Sequence, residues 1–147
     1  MMRTGLLLLV MTLFMAACAG GNAPVPPVMS DADQVEKVPV AGGSYTNISA
    51  TQLHKLLVAK DFTLVNVHIP YEGEIAQTDA FIPYNELDKH ADQLPADKNA
   101  TIVLYCRSGR MGAIAAERLV GLGYANVLNV KGGMVEWEKL GYPIVKR

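Results

Sequence analysis

From Tyr45 onward the chain alternates short, continuous apolar runs with segments in which apolar residues recur every three or four positions. The first pattern predicts buried strands, and the second predicts helices packed along one side. Tyr45 to Ile48, Phe62 to Val67, Thr101 to Tyr105 and Ala125 to Val130 read as strands, with a brief strand-like Phe81-Ile82 that Pro83 ends. Ser49 stands three residues before Gln52, a capping-box spacing, and predicts a helix through Lys60 with Leu53, Leu56 and Leu57 inward. Asn85 can cap a second helix through about Leu94. A third helix begins near Gly112, with Ile114, Ala115, Leu119 and Leu122 on one side and Glu117 and Arg118 on another. A short helix from Met134 to Leu140 precedes an extended Pro143-Ile144-Val145, and His68 to about Ala80 is a long loop.

Strands that alternate with helices predict an α/β domain, with a mostly parallel central sheet flanked by helices on both faces. Ligands of such sheets bind at the carboxyl ends of the strands. About one hundred residues suffice for one such domain with one core.

Before Tyr45 the pattern changes. Arg3 followed by an apolar stretch from Gly5 to Ala17, broken only by Thr12, reads as a signal peptide over residues 1–17 and is short for a membrane-spanning helix. Residues 18–43 show no apolar periodicity; Pro24, Pro26, Pro27 and the closing Gly42-Gly43 predict an extended Pro/Gly-rich tether. The folded domain is then expected over 44–147.

Composition narrows the partners. With 13 basic and 14 acidic residues the formal net charge is −1, and basic runs interleaved with aromatics are absent, so nucleic-acid binding has little support. The apolar share of 50% is inflated by the signal segment. Neither His54 nor His90 has a cysteine or carboxylate at metal-ligand spacing, and neither a metal nor another cofactor is expected.

Candidate chemistry concentrates at Cys106, one of two cysteines in the chain. It ends a predicted core strand and opens a short polar loop that leads into a helix. Strand, loop and helix start aim backbone N–H groups into one concavity, an arrangement suited to an anion. Those donors, with Arg107 and Arg110, favour the thiolate, which is the nucleophilic form. The alternative is a small buried side chain closing the strand. The loop holds no second cysteine, so it contains no Cys-x-x-Cys redox pair.

Two stretches resemble known families. Cys106-Arg107-Ser108-Gly109-Arg110-Met111, followed by a helix and then Val130-Lys131-Gly132-Gly133-Met134-Val135-Glu136-Trp137, resembles the active-site half of a rhodanese-like domain. The resemblance covers about Thr46 to Val145. It implies a sulfurtransferase that accepts a sulfane sulfur from thiosulfate or a similar donor as a persulfide on Cys106 and passes it to cyanide or a thiol. Arg107, Ser108, Gly109, Arg110, Met111 and Gly112 are then the expected substrate-binding set, Gly112 letting the helix start close against the ligand. Met15-Ala16-Ala17-Cys18 resembles the lipobox of bacterial lipoproteins, which implies lipidation at Cys18, export, and contact with a membrane through the lipid anchor only. By the same resemblance Ala19 favours outer-membrane anchoring. A plain secretory signal is the alternative.

The first half of the domain departs from the rhodanese-like pattern. Asn66-Val67-His68 stands where the family commonly shows Asp-Val-Arg, and Phe81-Ile82-Pro83-Tyr84 replaces a Gly-His-Ile-Pro-Gly segment. His68, at a strand end, and Glu72 are candidate pocket walls, alongside a purely structural or solvated role for each; Asp79 is equally open. His54 and His90 read as surface residues and Trp137 as a core anchor. A cysteine phosphatase needs an arginine six residues after the cysteine to clamp its oxyanion, and that position is Gly112. A non-catalytic persulfide carrier or partner-binding module remains the other alternative.

Overall fold

The computed structural model describes residues 35–146; the signal segment, Cys18 and the tether up to residue 34 lie outside the described residues. Strands β1 (Glu36–Val40), β2 (Gly43–Ile48), β3 (Thr63–Asn66), β5 (Ala80–Phe81), β6 (Thr101–Tyr105) and β7 (Asn126–Val130) form one sheet in the order β1-β2-β7-β6-β3-β5. All neighbours are parallel except β1, which runs antiparallel to β2. The carboxyl ends of β2, β7, β6 and β3 therefore share one edge of the domain. Strand β4 (Glu74–Ile75) pairs antiparallel with β8 (Ile144–Val145), fastening the chain's end to the long loop after β3.

Alternation along β6 divides the core. Ile102, Leu104 and Cys106 join the side covered by helix α2 (Arg110–Gly121) and the 3-10 helix Leu87–Gln93. Val103 and Tyr105 join the side covered by α1 (Ala50–Leu57) and α3 (Gly133–Lys139). A strand buried on both faces carries apolar residues throughout, which is why β6 reads as a continuous apolar run.

The capping box at Ser49 forms: its Oγ accepts from the Gln52 N–H at 3.1 Å, and Gln52 Oε1 accepts from the Ser49 N–H at 2.8 Å. Several boundaries differ from the expectation. Residues 36–40, assigned above to the tether, form an edge strand, and Val38 and Val40 pack against the core. Polar Glu36 and Lys37 and the break at Pro39 hide an edge strand from a hydrophobicity pattern. The Asn85 helix is instead the 3-10 helix, preceded by Glu86 without a side-chain cap. Ile114 is 47% exposed and Leu56 43% exposed, so neither turns inward. The buried stripe of α2 is Gly112, Ala115, Ala116, Leu119 and Val120.

Candidate active site

Cys106 follows directly on β6, between the ends of β7 and β3. The residue is 1% exposed. Gly109 turns the loop in a left-handed conformation (φ +90°), and its backbone N–H donates to Cys106 Sγ at 3.0 Å. Helix α2 then starts at Arg110, two residues earlier than expected.

Two further segments fix this loop. The N–H groups of Met134 and Val135 donate to the carbonyls of Cys106 and Arg107, each at 2.9 Å. These bonds satisfy first-turn donors of α3 that have no partner within the helix. The approach is possible because residue 133 lacks a side chain: a Cβ there would stand 2.1 Å from the Cys106 carbonyl oxygen. On β7, Asn129 is 3% exposed, and its Nδ2 donates to Gly109 O at 3.2 Å and to Asn47 Oδ1 at 2.9 Å. A Cβ on Gly112 would lie 2.1 Å from Asn129 Oδ1. Gly112 thus makes room for Asn129.

The expected substrate-binding residues diverge in their surroundings. Ser108 and Arg110 are exposed, and Arg110 forms no ion pair among the described residues. Met111 packs partly buried against the core. Arg107 Nη1 lies 3.2 Å from Glu72 Oε2, and the same oxygen lies 3.1 Å from His68 Nε2. The two candidate pocket-wall residues therefore meet each other and the cysteine loop through one carboxylate oxygen. His68 Nδ1 is buried without a hydrogen-bond partner.

The loop after β3 is held by groups that the sequence pattern did not single out. Asn66 is fully buried; its Nδ2 donates to Gly73 O at 3.0 Å, and its Oδ1 accepts from the His68 N–H at 3.0 Å. The hydroxyl of Tyr105 accepts from the Ile75 N–H at 3.0 Å and lies 2.7 Å from Thr78 Oγ1. Burial pushes the Tyr105 phenol well above its ordinary range. A polar group within or at the end of a buried strand was the available signal: Asn129 lies inside β7, and Asn66 and Tyr105 close β3 and β6.

Other candidates fall elsewhere. Asp79 accepts from the Leu64 N–H at 2.7 Å and pairs with Lys60 at 2.6 Å, a structural role on β3. His54 is exposed and stacks on Tyr142, with ring centroids 4.1 Å apart. His90 is half-buried at the 3-10 helix and bonds Gln93. Trp137, 3% exposed, donates to Pro143 O at 3.0 Å and anchors α3. Among the described residues no cluster of three or more His, Cys, Asp or Glu could hold a metal ion.

An α/β domain whose one described cysteine opens a tight loop at the strand ends defines a recognisable class. The sequence model of the rhodanese-like domain matches residues 49–140, and the chain belongs to that family. A protein of Allochromatium vinosum named sulfurtransferase is 36% identical over 95 residues, 62% of this chain and 85% of that protein. The crystal structure of a rhodanese-related protein from Thermoplasma volcanium superposes with a TM-score of 0.57 at 32% identity, covering 67% of this chain and 96% of that one. A protein of Rhodopseudomonas palustris, described as of unknown function and a possible tyrosine phosphatase, superposes with a TM-score of 0.56 at 26% identity, covering 65% of this chain and 81% of that one. Strand β1 and all of β2 precede the matched segment.

Proposed function

We propose that the protein is a sulfurtransferase that carries sulfur as a persulfide on Cys106. The observation that carries this reading is the Gly109 N–H on Cys106 Sγ at 3.0 Å, in a loop at the carboxyl end of a central parallel strand. Family membership and the sulfurtransferase relative support the same class of reaction. The Cys106 thiolate attacks the outer sulfur of thiosulfate, one S–S bond forms, the other breaks, and sulfite leaves with the electron pair. Cyanide or a thiolate then attacks the outer sulfur of the persulfide and returns Cys106 as thiolate. The Gly109 N–H, already directed at the sulfur, stabilises the charge that moves between the two sulfur atoms. Loop size argues against phosphate: α2 begins four residues after the cysteine, and Gly112 occupies the place an oxyanion-clamping arginine requires.

Incubation of the full chain with thiosulfate and cyanide tests the proposal. Thiocyanate is expected, and is lost in Cys106→Ala; hydrolysis of para-nitrophenyl phosphate in its place would identify a phosphatase. One observation favours a second reading. Cys106 is 1% exposed, and such enclosure suits a carrier that shields its sulfur. Intact mass showing a stable added sulfur without turnover would identify that carrier.

The site is further proposed to work outside the cytoplasm, on a chain lipidated at Cys18. This rests on the apolar run and Met15-Ala16-Ala17-Cys18. Labelled palmitate should enter the wild-type chain but not Cys18→Ala.

A further inference from the structure

We propose that Glu72 is a specificity-determining residue that withholds the Arg107 guanidinium from incoming anions, so that charge selection at Cys106 falls to Arg110 and the loop N–H groups. The inference rests on the sulfur-transfer reading only for the identity of the anion. Two arginines follow the cysteine within four residues, yet of the two only Arg110 is without an ion pair among the described residues. Glu72 Oε2 stands 3.2 Å from Arg107 Nη1 and 3.1 Å from His68 Nε2.

Glu72 itself is half exposed, with a side-chain exposure of 42%, and an isolated carboxylate there would sample many positions. Its anchor is His68, whose side chain is only 9% exposed and whose backbone N–H is bound by buried Asn66. Contact with Glu72 is the polar bond of that imidazole, since Nδ1 meets no partner. A buried ring thus fixes the carboxylate, and the carboxylate draws in the more exposed Arg107. The outcome is a charge-neutral pair on the rim. A dianion such as thiosulfate meets one uncompensated guanidinium there instead of two, and loses the bidentate clamp a second would offer.

Thiosulfate binding to the full-length Cys106→Ser chain, which forms no persulfide, provides the test. Amide shifts of Ser108 and Gly109 in 15N-labelled protein report the Kd and show in the same spectra that each variant is folded. Adding Glu72→Gln is expected to lower the Kd about threefold, the scale of one exposed ion pair, and the gain should shrink at high salt. In an Arg107→Gln background most of that gain should vanish. An unchanged Kd, an equal gain in both backgrounds, or no saturable shift in any variant would each overturn the proposal. Absence of thiocyanate production by the wild-type chain counts against sulfur transfer alone, and the Kd comparison still decides the role of Glu72.

Discussion

The backbone N–H of Gly109 lies 3.0 Å from the Sγ of Cys106, and Gly109 reaches that position only in a left-handed conformation. The donor therefore depends on a residue without a side chain. A Cβ at this position would also meet Gly132 N at 3.0 Å and Val130 O at 3.1 Å. Gly109→Ala should cost about 1–3 kcal/mol of stability through backbone strain. Displacing the donor should lower thiocyanate formation about tenfold or more. Chemical denaturation and initial rates, measured together, check both.

Gly133 and Gly141 separate strain from collision. Both have positive φ, +53° and +83°, but nothing lies within 4 Å of a Cβ on Gly141, whereas one on Gly133 would stand 2.1 Å from Cys106 O. Gly141→Ala should lose about 1 kcal/mol with its activity retained. Gly133→Ala should lose more and should inactivate the protein, because the cysteine loop must move to admit the methyl group. Equal effects of the two substitutions would remove the clamp between α3 and the loop from the mechanism.

Asn129 holds Gly109, the residue whose N–H meets the cysteine sulfur. Replacing it with alanine removes both Nδ2 bonds and leaves the Gly109 carbonyl and Asn47 Oδ1 without that donor. The expected cost is about 1–3 kcal/mol. A structural effect alone would raise amide exchange broadly. A positioning role predicts that exchange at Gly109 rises first, together with a fall in kcat, and hydrogen-exchange NMR distinguishes the two.

Tyr105 supplies a pH dependence. Burial raises its phenol above the ordinary value of 10.0, so the folded state binds this proton more tightly than the unfolded chain. The contribution is fully present below about pH 10 and is lost as pH rises beyond it. Tyr105→Phe should flatten that alkaline fall in Tm. At neutral pH it should cost about 1–3 kcal/mol, because the Ile75 N–H loses its acceptor. Thermal melts of both proteins between pH 7 and about pH 11 provide the measurement.

Most of the site's frame was legible because it consists of local patterns. The apolar run of β6, the capping box at Ser49 and the polar loop at Cys106 each lie within a few residues of chain. What escaped depends on residues distant in sequence. Asn129 reaches Asn47 across 82 positions, and Tyr105 reaches Ile75 across 30, so no periodicity could expose either bond. The Arg107–Glu72 ion pair escaped for the same reason: Arg107 lies in the cysteine loop, while Glu72 comes from the loop after β3. Ile114 and Leu56 show the complementary failure, where an apolar residue lies one position off the stripe that faces the sheet.

The start of the domain gives the last test. Residues 36–40 looked like tether because polar residues and proline dominate them, yet every one pairs with β2, from Glu36 opposite Asn47 to Val40 opposite Gly43. Glu36 also accepts from Asn47 Nδ2 at 3.2 Å and pairs with Lys131 at 3.1 Å, and Asn47 is the residue that Asn129 holds. Losing β1 would therefore uncover the edge of β2 and free one end of the Asn47–Asn129–Gly109 chain. A protein starting at Val35 should match the longer chain in Tm and turnover. One starting at Gly42 should lose about 2–3 kcal/mol, chiefly from the partly buried Val38 and Val40. Unchanged stability in the shorter protein would return β1 to the tether, and circular-dichroism melts of the two truncations decide between these outcomes.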